Sequence, residues 1–322
     1  MKKTPLLVIL AILLILPLVV KDVNFQHVML MMLIFAGLGE AWNIITGFAG
    51  QTSFGHAAFF GIGAYTSTVL FYKFNVSPWI GMILGALFAG VVAFLVSYPC
   101  FRLKGHYFAI ATLAVAEIVK QLFVSWDYVE GATGISIPVV ADSFWAMQFH
   151  RSKIPYVLIA YGLFVFVLFV AIAIERNKMG YYLKAIRESH EAAEALGINT
   201  ARYKLLAMIV SSMLTALFGT LYAQYILYID PFMVFGLEVS MKIVLLTVLG
   251  GLGSIYGPII GAAILIPLSE YTRTLLGGTG KGIDLMIYGI LIVIVVVFEP
   301  RGILGLLRKR SRRRINYGKS TA

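Results

Sequence analysis

Long apolar runs alternate with short polar ones along almost the whole chain. Ten apolar stretches predict ten helices, at about 5–20, 27–46, 55–72, 79–98, 105–125, 155–175, 204–227, 238–250, 257–275 and 283–299. Most approach the ~20 apolar residues that a helix needs to cross a bilayer. The ~10-residue alternating segments of a membrane β-barrel are not the pattern here. Two polar segments outlast the others. One, 126–155, carries "EGATG" and the aromatics Phe144 and Trp145; the other, 176–204, holds "RESHEAAEALGINTARYK" (187–204), a densely charged stretch in an otherwise oily chain. Neither is large enough for a domain of its own. The pattern predicts one all-α polytopic membrane domain over 1–322.

Composition sharpens this. The chain is 60% hydrophobic and 13% charged, about half the charge of a soluble domain, with a mean hydropathy of +0.90. The N-terminus has the lysines and apolar run of a signal peptide but no A-x-A-like site, so it is expected to stay as a first span. Net charge is +11, and the dense basic cluster is the tail "RKRSRRR" (308–314). Following an apolar run directly, it fits a membrane anchor beside anionic lipid. No folded nucleic-acid module remains to use it, so nucleic acid is not an expected partner. A single cysteine, Cys100, excludes an intrachain disulfide and a cysteine metal site.

Charge placement supports the span count. With alternating spans that start inside, inner segments hold 18 of the 26 Lys and Arg and outer segments six. That satisfies the positive-inside rule. It places both termini, the segment 176–204 and the basic tail 301–322 inside, and 126–155 outside.

Catalytic chemistry is hard to find. "GGTGKG" (277–282) lacks the spacing and the Ser or Thr of a phosphate loop. The five histidines are scattered and show no metal spacing. "GQTSFG" is not a nucleophile elbow. The chain is expected to be neither an enzyme nor a holder of any cofactor or metal.

Three features invite function. In 187–204, Ser189 can cap a helix whose first turn holds Glu191, and Gly197 suits the position just past its end. Such a helix of about two turns needs a partner. One side is bare: Ala192, Ala195 and Leu196, with Ala193 beside them. It is either a docking element or a loop helix resting on the bilayer. Second, glycine interrupts the apolar pattern at 50–56 and 251–257, with Thr46/Thr247, Gly50/Gly251 and Ser53/Ser254 at a constant offset. Irregular backbone there would line a pathway through Gln51, Ser53, His56 and Ser254; close packing through small residues is the equal alternative. Third, ionisable residues in spans face a cavity or a partner. Glu40 and Lys242 have no close sequence partner and are pathway candidates. Glu117/Lys120 and Glu270/Arg273, spaced i, i+3, can neutralise themselves.

"EAAEALG" resembles the E-A-A-x-x-x-G loop of permease subunits of bacterial ABC importers. "GYYLKAIRESHEAAEALGINTARYKLLA", "NIITGFAGQTSFGHAAFFGIGAY", "GGLGSIYGPIIGA" and "FEPRGILGL" resemble the membrane subunits of high-affinity branched-chain amino acid importers, in order, from about residue 36 to 307. The I-x-L-P ending of the general loop is missing after Gly197. The resemblance implies a multi-pass protein of a bacterial inner membrane with cytoplasmic termini. Its partners would be a homologous second permease subunit, two ATPase subunits that use the ATP, and a periplasmic binding protein docking on 126–155. Glu191, Ala192, Ala193, Ala195, Leu196 and Gly197 would form the ATPase-coupling element. The implied cargo is Leu, Ile, Val or a related amino acid; urea and short amides use similar permeases. A secondary transporter and a passive channel are the rivals from other classes.

Overall fold

The computed structural model describes residues 3–275, apart from 102 and 104, and residues 302–305. The chain is helical: α1 (Lys3–Val19), α2 (Val23–Asn43), α3 (His56–Phe74), α4 (Pro78–Cys100), α5 (His106–Val124), α6 (Ile154–Arg176), α7 (Lys178–Glu188), α8 (His190–Ala195), α9 (Thr200–Ile226), α10 (Pro231–Val234), α11 (Leu237–Gly250) and α12 (Gly257–Leu275). Among the described residues six helical segments are long and apolar enough to cross a membrane: Val23–Phe48, Pro78–Cys100, His106–Val124, Ile154–Arg176, Thr200–Ile226 and Pro231–Gly250. Helices α1, α3 and α12 also lie on stretches that the hydropathy pattern marked. The stretch 283–299, the segment 277–282 and most of the basic tail lie outside the described residues.

The bundle is organised around α2. Asp22 caps it by accepting a bond from Phe25 N at 2.9 Å, and nearly every later residue is buried. It packs on α6, α9, α11 and α12. A second layer is α3, α4 and α9. These approach so closely that a Cβ on Gly219 would lie 2.9 Å from the Phe60 carbonyl carbon and 3.0 Å from Ala64 N. Backbone cannot yield as a flexible side chain can, so only glycine fits, as at other close membrane-helix contacts.

The loops sort to two ends. At one, a two-stranded ribbon pairs β1 (Ile135–Ser136) with β2 (Tyr228–Ile229). Ser77 Oγ and Trp79 Nε1 donate to the Trp145 and Phe144 carbonyls at 2.6 and 2.7 Å there. This ties the loops after α3, α5 and α9 together. The opposite end gathers the α2–α3 and α11–α12 connections and the segment from α7 to α8. Gly302 sits at that second end as well, where a Cβ would lie 2.7 Å from Gly251 N.

Candidate coupling and transport site

The helix in the charged stretch is short because its ends are closed locally. Ser189 Oγ accepts a bond from Ala192 N at 3.2 Å. At the other end Gly197 has φ +81. Gly197 N donates to the Glu194 carbonyl at 2.9 Å and Ile198 N to that of Ala193 at 3.1 Å. Those two bonds make the glycine C-cap described for helix ends. The α8 segment is held to α9 by Thr200 Oγ1, which donates to Glu194 Oε1 at 2.8 Å. Ala193 turns inward and is buried, whereas Glu191, Ala192, Ala195 and Leu196 face out. Leu196 is 80% exposed. Beside it a groove of about 420 Å3 runs between Tyr182, Ile198, Arg202 and Tyr203. The exposed leucine therefore stands on a bare alanine face, next to a groove.

The two glycine-interrupted segments meet directly below this element. After Asn43, α2 widens into a π-helical turn over Ile44–Phe48, and Gly50 takes φ +70. Asn43 is fully buried. Its Oδ1 accepts from Gly253 N at 2.9 Å and its Nδ2 donates to the Ser254 carbonyl at 3.2 Å. One amide therefore binds the α11–α12 loop at two points. Arg187, one residue before the end of α7, donates from Nη1 to the Gly47 carbonyl at 2.6 Å. Its stem lies over Gly50, where a Cβ would be 3.1 Å from Arg187 Cγ, and its head group lies against Gly253. So one arginine touches both glycine-interrupted segments, and its own helix leads straight into α8. Neither residue was singled out by the sequence pattern. Arg187 was one charge among several in 187–204, and nothing local marks Asn43.

The pathway candidates are placed as follows. Gln51 is half-buried, and its carbonyl accepts from Thr46 Oγ1 at 2.9 Å. Ser53 is fully buried; its carbonyl accepts from Trp42 Nε1 at 2.7 Å and its hydroxyl from Gly55 N at 3.2 Å. His56 Nε2 lies 2.8 Å from Ser211 Oγ, which gives its proton to the Ala41 carbonyl at 2.6 Å. A hydroxyl has one proton, so His56 Nε2 must be the donor. His56 Nδ1 is then a buried acceptor without a partner. Ser254 is half-buried and bound through its carbonyl to Asn43. Glu40 is fully buried with neither carboxylate oxygen hydrogen-bonded. Lys242 is half-buried, with Nζ 6.0 Å from the Phe35 ring centre. Gln51, Ser53 and Ser254 are thus brought together at the second end, with His56 at the start of α3. Lys242, near the start of α11, stands apart from them. The segments are connections between helices, not breaks within one. Of the self-neutralising pairs, Lys120 Nζ does contact Glu117 Oε1 at 2.6 Å. Glu270 Oε2 lies 3.6 Å from His27 Nε2; the Arg273 side chain lies outside the described residues. Among the described residues no group of three or more His, Cys, Asp or Glu could hold a metal ion.

One buried amide and one arginine thus join the two loops to α2 and α7. The known proteins that the chain is similar to are transport components. A relative at 29% identity is the high-affinity branched-chain amino acid transport system permease protein LivM of Salmonella typhimurium; the alignment covers 86% of this chain and 69% of that protein. Another is the LivH permease protein of the same-named system in Escherichia coli, 26% identical over 84% of this chain and 91% of the relative. A probable LivM of Methanocaldococcus jannaschii is 23% identical over 76% of this chain. No solved structure matches the chain. The sequence pattern of one family, described as the branched-chain amino acid transport system / permease component, matches residues 24–296. With most of its length inside that match, the chain belongs to the family of permease components of branched-chain amino acid transport systems.

Proposed function

We propose that this protein is the membrane permease subunit of an ATP-driven importer that carries branched-chain amino acids or close relatives across a bacterial inner membrane. The observation that carries the ATP-driven part is the exposed Ala192, Ala195 and Leu196 face of α8, joined through Arg187 to both glycine-interrupted segments. In this reading two cytoplasmic ATPase subunits dock on α8 and the groove beside it. Their closure pulls on α7, and Arg187 passes the movement to the loops 44–55 and 251–256. No nucleotide site is needed in this chain. Escherichia coli has LivM and LivH permease proteins named for one kind of system, which supports a homologous second permease subunit as partner. A periplasmic binding protein would deliver the cargo to 126–155, whose Phe144 and Trp145 are exposed.

Ala192→Arg tests the docking. A large charge on the bare face should be excluded from the ATPase surface, while α8 keeps its Ser189 and Gly197 caps. ATP-driven uptake in vesicles is expected to fall at least about tenfold, the effect of burying one unpaired charge in a contact. Normal assembly together with normal uptake would sink the assignment. Sidedness is tested by His190→Cys in a Cys100→Ser background. The 18-to-6 division of Lys and Arg predicts labelling only from the cytoplasmic side; reaction with an impermeant reagent outside intact cells contradicts it.

A further inference from the structure

Helix α5 has an edge that lipid cannot cover. Little of α5 is buried, whereas most of α2 is. Its packed side is Phe108, Thr112 and Ala116. Ala114, Glu117 and Gln121 are exposed on another side, on successive turns of one face. The helix has 19 residues, or about 28 Å, close to the ~30 Å of hydrocarbon it would cross. Glu117 precedes Val124 by seven residues, so it lies about 10 Å inside that end. Lys120 Nζ donates to Glu117 Oε2 at 2.7 Å, and Gln121 Nε2 to Oε1 at 3.2 Å. The pair is formed, yet the Glu117 side chain is 49% exposed. Pairing cancels net charge but does not remove the cost of taking a carboxylate and an ammonium into hydrocarbon. Water, a polar ligand or a polar surface of a second subunit must cover this edge.

We propose that Glu117, Lys120 and Gln121 form a subsite on the amino-acid route that binds the ammonium and carboxylate groups of a zwitterionic amino acid. The proposal rests on the permease reading above. The chemistry is complementary. A zwitterion carries an ammonium and a carboxylate on one carbon, and the edge offers a carboxylate and an ammonium in contact. Substrate ammonium replaces Lys120 on Glu117, and substrate carboxylate takes Lys120 and the Gln121 amide. No net charge is created, so a neutral zwitterion fits better than a simple cation or anion. Position agrees. The subsite lies two turns before Trp126 and the loop 126–155, where cargo would arrive. The same helix reaches the other end: Thr112 Oγ1 accepts from Phe54 N at 3.1 Å, fastening α5 to the segment that Arg187 overlies.

The test leaves the pair intact and uses Ala114→Cys, one turn away on the same edge, in a Cys100→Ser background. The complete transporter is reconstituted in vesicles and treated with 2-aminoethyl methanethiosulfonate. The cysteine should react, and turnover with leucine-loaded binding protein should slow the reaction at least about fivefold. Isopentylamine and 4-methylpentanoate, each lacking one charged group, should give no protection. No reaction, as expected for an edge sealed by the second subunit, overturns the proposal. So does reaction that leucine does not slow. In parallel, Glu117→Gln and Lys120→Gln should each raise the KM for leucine uptake at least about tenfold, the effect of losing one hydrogen bond to a charged group. Unchanged uptake overturns it too. If the unmodified complex carries no leucine, the branched-chain reading fails first; if it does and Ala114→Cys is silent, only this subsite fails.

Discussion

Arg187→Ala is expected to cut ATP-driven uptake by about tenfold to a hundredfold while the ATPases remain bound. The range follows from losing one hydrogen bond between a charged donor and a carbonyl, worth roughly 1.5–3 kcal/mol. Arg187 is the side chain that joins α7 to Gly47 at 2.6 Å and covers Gly50 and Gly253. Without it, α8 should still dock, because the proposed docking face holds Ala192, Ala195 and Leu196 and not Arg187. Movement of the ATPases would no longer reach both loops. The discriminating readout is the ratio of ATP hydrolysed to leucine carried. A structural role alone would lower both together, whereas a transmission role raises the ratio. Arg187→Lys keeps the charge and one donor and should recover part of the uptake.

Asn43→Leu should have the second largest effect. It removes the amide that holds both Gly253 N and the Ser254 carbonyl. Leucine is of similar size, so the loss is one of hydrogen bonding more than of volume. Each buried group left without a partner costs about 1–3 kcal/mol. The expected result is a loop 251–256 freed from α2, seen as faster proteolysis or faster labelling of Ser254→Cys, together with loss of uptake. The rest of the bundle has its own core and should persist in detergent. Uptake and labelling that match the unaltered protein would show that Asn43 is only filling space.

Much of the fold was legible because it depends on solvent. An apolar run of the right length must become a helix in hydrocarbon, where no water satisfies its backbone. Helices α1 to α6, α9, α11 and α12 fall where hydropathy put them. The ends of α8 were legible for a different reason: Ser189 and Gly197 act within a few residues of themselves, and both caps formed. What joins distant segments was not legible. Asn43 meets Gly253 across 210 positions and Arg187 meets Gly47 across 140. Such contacts leave no periodic trace in one sequence. The glycines at 50 and 253 marked the two loops, but not that a single arginine lies across both. Ala193 was grouped with the bare face, and the helix turns it inward, because a six-residue helix must bury one side to be held at all.

In the proposed function ATP, acting through α8, drives amino-acid movement by this chain. This is tested most directly in vesicles holding this protein, its partner permease and the ATPases, with the binding protein on the side of 126–155. Leucine uptake should require both ATP and the binding protein and continue after proton and sodium gradients are collapsed. Uptake that follows an imposed ion gradient without ATP would contradict it.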